Sequence, residues 1–66
     1  MTYLLNDQAI AKAASMSPSW VRVQRHLRKR GKPHTLTIDP VMIGSSPRYR
    51  TKDVEAWIAS LEVAND

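Results

Sequence analysis

The chain has 66 residues, with 10 Lys and Arg against 6 Asp and Glu, a formal net charge of +4 and a sequence pI near 10.0. That length allows one domain, 1–66, in which only about 60% of the unfolded chain's surface is buried on folding. With no cysteine there is no disulfide or thiolate metal site, His26 and His34 lack a partner for structural zinc, and the apolar runs are too short to span a membrane.

Met1 to Asn6 has no basic stretch leading into an apolar one, so no signal peptide is expected and the cytoplasm is the expected compartment. Asn6 can cap a first helix from Asp7 to about Ala14, with Asp7 favourably placed at the positive end of the helix dipole. Ile10, Ala13 and Ala14 are its expected buried side. Ser15 and Met16 make a brief turn. Ser17 then supplies an N-cap hydroxyl and Pro18 fits the first helical position, where its missing N–H costs nothing. The second helix is expected to run to about Arg30 and to end at Gly31. Two helices across so short a turn predict a helix-turn-helix over 6–31.

After Gly31 the pattern changes. Pro33 stops the helix, Thr35 to Ile38 has strand character, and Asp39-Pro40 is a turn. Residues 41–50 predict a β-hairpin with its tip at 44–47, where Gly44-Ser45-Ser46-Pro47 supplies turn chemistry. Together 35–50 form the expected wing. Thr51 is expected to cap a closing helix over 51–62, with Val54, Trp57, Ile58 and Leu61 spaced i, i+3, i+4, i+7 as one apolar stripe. The expected core is Leu5, Ile10, Met16, Trp20, Val23, Leu27, Ile38, Ile43, Tyr49, Val54, Trp57, Ile58 and Leu61. The fold class is α+β, a small winged helix-turn-helix in the order helix-turn-helix-hairpin-helix.

Charge is distributed unevenly. Arg22, Arg25, Arg28, Lys29, Arg30 and Lys32 crowd one acid-free stretch, Arg48, Arg50 and Lys52 form a second group, and from Asp53 onward the chain has acids only. Such an arrangement predicts a positive face aimed at a polyanion. On a helical wheel Trp20, Val23, Gln24 and Leu27 are expected to pack inward, while Arg22, Arg25 and Lys29 gather outward with His26 beside them. Like charges on one helix face repel by a few tenths of a kcal/mol per pair and add nothing to a core, so a cationic outer face suits insertion into a major groove. Ser17, Ser19 and Arg22 lie near the helix N-terminus, where Ser19 and Arg22 reach base edges and Arg can bond guanine O6 and N7 together. Arg25 and His26 are candidates for base or phosphate contact, and Lys29 and Arg30 for phosphate. In the hairpin, Ser45 and Ser46 at the tip and Arg48 and Arg50 on one face are the second DNA-contacting set, while Tyr49 points to the core. No catalytic arrangement, metal site or cofactor-binding motif emerges, and no enzyme activity or small-molecule substrate is expected.

The stretch from Leu4-Leu5-Asn6 through Ala11, Ala14 and Ser17 resembles the opening of the phage excisionases (recombination directionality factors) and AlpA-like proteins of the MerR-like winged helix-turn-helix group. Val41-Met42-Ile43-Gly44, Arg48-Tyr49-Arg50 and Asp53-Val54-Glu55-Ala56-Trp57-Ile58 are similar to that family's wing and closing helix, the Arg-aromatic-Arg strand running into Asp-Val-x-x-Trp being the most specific part. The chain departs from the pattern at Ala9, commonly Glu, at Ser15, commonly Gly, and in an expanded Lys32–Pro40 segment. The resemblance implies sequence-specific binding and bending of double-stranded DNA, with an integrase as partner whose reaction is directed toward excision. It also implies head-to-tail self-association on DNA, for which the acids Glu55, Glu62 and Asp66 provide a surface unlike the basic clusters. The setting implied is the host cytoplasm of a phage-encoded protein. An AlpA-like transcriptional regulator shares the same contacts. A reading of another class is a basic adaptor docking on an acidic protein.

Overall fold

The computed structural model describes residues 3–61. Three helices and a three-stranded antiparallel sheet follow in the order β1 (Leu4–Leu5), α1 (Asp7–Ala13), α2 (Pro18–Lys29), β2 (Val41–Ile43), β3 (Ser46–Arg50) and α3 (Thr51–Ser60). The protein is therefore α+β. The strand order is β1-β3-β2, so β3 lies in the centre.

Both junctions around α2 are held by local chemistry. The Asn6 side chain accepts the Ala9 N–H at 2.9 Å, and the Ser17 hydroxyl accepts the Trp20 N–H at 3.1 Å, each satisfying one donor that a helix start leaves unpaired. Each helix then closes with the paired bonds of a Schellman motif. At the end of α1 the Met16 N–H reaches Ala11 O and the Ser15 N–H reaches Lys12 O; at the end of α2 the Lys32 N–H reaches Leu27 O and the Gly31 N–H reaches Arg28 O. The pivot residues are Ser15 at φ 57° and Gly31 at φ 70°. Glycine enters this left-handed region freely, whereas a residue with a Cβ is strained there.

The core consists of Ile10, Ala11, Val21, Leu36, Tyr49, Val54 and Trp57, with Leu5, Ala14, Trp20 and Ile38 packed against it. The Trp20 and Trp57 rings are tilted by 38° at a centroid distance of 6.4 Å. Several expected core positions lie elsewhere. Met16, Val23, Ile43, Ile58 and Leu61 are exposed, as is Ala13 on α1, and Ala11 takes its place inside. The inward face of α2 is centred on Val21 and Gln24 and not on Val23. Its roll is set by the Gln24 carboxamide, whose Oε1 accepts the backbone N–H groups of Thr35 at 2.6 Å and Leu36 at 3.2 Å.

That bond also corrects the expected strand at Thr35–Ile38. The segment has the inward alternation of Leu36 and Ile38, but its donors go to a side chain, and Trp57 Nε1 donates to Thr35 O at 3.0 Å. It joins no sheet, and the hairpin occupies 41–50 alone. The hairpin tip is tighter than expected: Ile43 pairs with Ser46, leaving Gly44 and Ser45 as a two-residue loop, with Ser46 and Pro47 inside β3. Gly44 at φ 61° followed by a residue of negative φ fits a type II′ turn, which matches strand twist. Thr51 does not cap α3. It is the first helical residue, its hydroxyl donating to Tyr3 O at 2.9 Å and accepting the Tyr3 N–H at 3.2 Å, which fastens β1 to the start of α3. The helix ends at Ser60; the rest of the expected 51–62 span, beyond Leu61, lies outside the described residues.

Two stability outcomes follow from these contacts. Ser15→Gly removes strain at a left-handed position and is expected to stabilise the fold by about 0.5–1 kcal/mol, while Ser15→Val destabilises it. Gln24→Ala leaves two backbone donors without their acceptor and is expected to cost about 2–3 kcal/mol. Urea unfolding measures both, and equal midpoints for all three variants and the parent would contradict this account of the turn and the clamp.

Candidate nucleic-acid interface

With Val21 and Gln24 turned inward, the outward side of α2 carries Ser19, Arg22, Val23, His26, Lys29 and, at the C-cap, Arg30, all exposed. The β2–β3 hairpin stands beside it. Between them an open groove of about 700 Å³ is lined by Arg22, Arg25, His26, Arg28 and Lys29 from α2, and by Asp39, Pro40, Met42, Ser45 and Pro47. A second hollow of about 330 Å³ continues past Pro47 to Arg48, Pro18 and the start of α1, with Arg22 and Arg25 lining both. Four cationic side chains against one carboxylate make the larger groove electropositive.

The cations are not equivalent. Arg25 is half-buried and forms a bidentate pair with Asp7, Nη1 to Oδ1 at 2.7 Å and Nη2 to Oδ2 at 3.0 Å. This corrects its expected outward position: Arg25 ties α2 to the first turn of α1. The Asp7 hydrogen bond is the main reason its guanidinium is held protonated even more firmly than usual, against the opposing effect of burial. The buried Tyr49 hydroxyl has no hydrogen-bond partner among the described residues. Arg28 is likewise engaged, donating to Asp39 from Nε at 2.7 Å and Nη2 at 3.3 Å. Its Nη1 lies 3.1 Å from His34 Nε2, while His34 Nδ1 is 2.8 Å from Lys32 O. A carbonyl can only accept, so these partners place the imidazole proton on Nδ1 and leave Nε2 to accept from Arg28.

Hydrogen bonding to Arg28, then its charge, pulls the Asp39 carboxyl below the ordinary carboxylate range. The pair is therefore intact above that range, and Arg28 is released only as pH falls through the lowered value.

Among the described residues Arg22, Lys29, Arg30 and Arg48 meet no carboxylate. Arg22 donates to the neighbouring Ser19 hydroxyl at 3.1 Å, and Arg30 Nη1 lies 3.5 Å from His26 Nε2. Arg48 is half-buried and donates to Pro47 O at 2.8 Å. The other expected contacts divide. Ser17 spends its hydroxyl on the α2 cap, Ser45 lines the groove at the hairpin tip, and Ser46 is half-buried in β3. Arg50 pairs with Leu4 across β1–β3 and lines neither hollow, so the structure does not bring it to α2. Asp39, Met42 and Pro47 belong to the groove and were not expected from the sequence. The available signal was that Asp7 and Asp39 are the only acids before residue 53, flanking the acid-free basic stretch.

A third hollow of about 340 Å³, lined by Met16, Trp20, Trp57, Ile58 and Leu61 among others, shares no residue with the other two and contains no charged side chain. No three His, Cys, Asp or Glu side chains gather among the described residues, and none of the described helices is long and apolar enough to cross a membrane. Comparison with protein-family models, with curated proteins and with solved structures finds no match to this chain.

The two classes of arginine predict different variant behaviour. Arg25→Ala leaves a largely buried Asp7 carboxylate without its partner and is expected to cost about 1–2 kcal/mol of stability. Arg22→Ala is expected to stay within about 0.5 kcal/mol of the parent. Thermal unfolding distinguishes them, and equal losses would contradict the division between structural and available cations.

Proposed function

We propose that the protein is a winged helix-turn-helix that binds and bends double-stranded DNA sequence-specifically. It places α2 in the major groove and the β2–β3 hairpin, as the wing, along the adjacent backbone or minor groove. The observation that carries this reading is the juxtaposition of uncompensated cations on the outward side of α2 with a narrow hairpin across an electropositive groove. Arg22 and Ser19, in the first half of the helix, are the base-reading pair; Lys29 and Arg30 hold phosphate; His26 lies between them. Arg48 is the cation of the wing, and a cationic wing is rewarded when the duplex curves toward it. Arg25 and Arg28 position the helix through their carboxylates and leave the reading to Arg22.

The role within this class is that of an excisionase, which bends attachment-site DNA and directs an integrase toward excision. Its similarity to that family lies in the Arg48-Tyr49-Arg50 strand and the Asp53 to Trp57 helix start. Neighbouring monomers assemble head to tail on the duplex. Of the acids assigned to that contact, Glu55 is exposed on α3, whereas Glu62 and Asp66 lie outside the described residues. The protein performs no chemistry of its own in this role and needs no cofactor.

Titration of duplex DNA from the protein's own locus over a range of salt concentrations tests the reading. Four available cations, Arg22, Lys29, Arg30 and Arg48, neutralise about four phosphates, which gives a log K against log salt slope near −3.6. Arg22→Ala is expected to cost about 1–3 kcal/mol on the preferred site and much less on random duplex, and Lys29→Ala to weaken both alike. A slope near zero, or tighter binding to an acidic protein than to any duplex, would overturn it.

A further inference from the structure

Val23 lies halfway along α2 at the edge of its outward side, next to the half-buried Leu27, and is 52% exposed. It is the single apolar residue on a surface otherwise made of Ser19, Arg22, His26, Lys29 and Arg30. Burial does not hold it there, because the inward side of the helix is taken by Val21 and Gln24. Helix propensity does not favour it either, since a β-branched residue is inferior to Ala, Lys or Arg at a solvent-facing position. What valine does supply is two methyl groups held almost entirely in one rotamer within a helix. An apolar contact made by such a side chain loses little entropy.

We propose that Val23 is a specificity-determining residue that recognises the 5-methyl group of a thymine in the major groove. The inference rests on the DNA-binding reading and extends it to a base class. In the major groove only thymine presents a methyl group, and small apolar side chains are its natural contacts. The surrounding cations bring a phosphate-rich surface against this side of the helix, and that contact excludes water from the valine. Arg22 and Val23 are neighbours on the helix, so the thymine is expected near the guanine read by Arg22.

The test is selection of preferred duplexes from a random pool by the parent and by Val23→Ala, followed by replacement of the selected thymine with deoxyuridine, which lacks only the methyl. Val23 is exposed, so the variant keeps the fold, and circular dichroism verifies this. The parent is expected to select a thymine close to a guanine and to bind the deoxyuridine duplex about three- to fivefold more weakly, the factor for losing one buried methyl. Val23→Ala, whose side chain is shorter by two methyl groups, is expected to discriminate between the two duplexes less than the parent and to weaken the thymine preference while keeping the guanine. Selection of a site whose affinity is unchanged by deoxyuridine, or equal discrimination by parent and variant, overturns the assignment of Val23 and leaves the DNA-binding reading standing. Failure of the parent to enrich or retain any duplex overturns the reading beneath it.

Discussion

The Gln24 carboxamide, buried at the centre of the inward side of α2, fixes the rotation of that helix about its own axis. Its Oε1 accepts two backbone N–H groups from the 35–36 segment, which has no sheet partner of its own. A buried acceptor shared by two donors tolerates little rotation, because any roll of the helix leaves donors unpaired in the interior. Trp57 fastens the same segment from the other side through Thr35 O. One loop, Gly31 to Pro40, thus links α2 to α3 and carries Asp39 to the position where it holds Arg28. Everything α2 presents outward follows from that roll.

Two ion pairs extend the constraint along the second half of the helix. Arg25 with Asp7 ties α2 to the start of α1, and Arg28 with Asp39 ties it to the segment before the hairpin. These arginines are half-buried and committed, which leaves Arg22, Lys29 and Arg30 as the cations available on the helix itself. The consequence for the proposed function is a division of labour. Structural arginines keep the helix and the hairpin at a set separation, and the available ones meet the polyanion. A groove lined by both kinds keeps its positive character while holding its shape.

Much of this was legible in the sequence because the signals are local. Asn6, Ser17-Pro18 and Gly31 mark helix boundaries through bonds made within a few residues, and all of them act as the chemistry of caps and left-handed turns predicts. The Arg48-Tyr49-Arg50 alternation places Tyr49 in the core for the same reason. What was not legible depends on distant partners. A helical wheel of α2 started from Trp20 puts Val23 inward, Arg22 and Arg25 outward and Arg28 on the flank. Asp7 and Asp39, 18 and 11 residues away from their partners, draw Arg25 and Arg28 toward the protein instead and turn Val23 out. Thr35 to Ile38 has the alternation of a strand, but its hydrogen bonds go to a side chain on another element, which no local pattern reveals. β1, only two residues long, exists because Tyr3 is fastened to Thr51 across the chain.

The claim that α2 and the hairpin form one DNA-contacting surface is tested most directly by following backbone amide NMR signals during titration with duplex DNA. The account predicts the largest changes at Ser19, Arg22, Val23, His26 and Lys29 and at Ser45, Ser46 and Arg48, with Ile58 and Leu61 little affected. Changes concentrated around Met16, Trp57, Ile58 and Leu61, with the outward side of α2 unmoved, would contradict it.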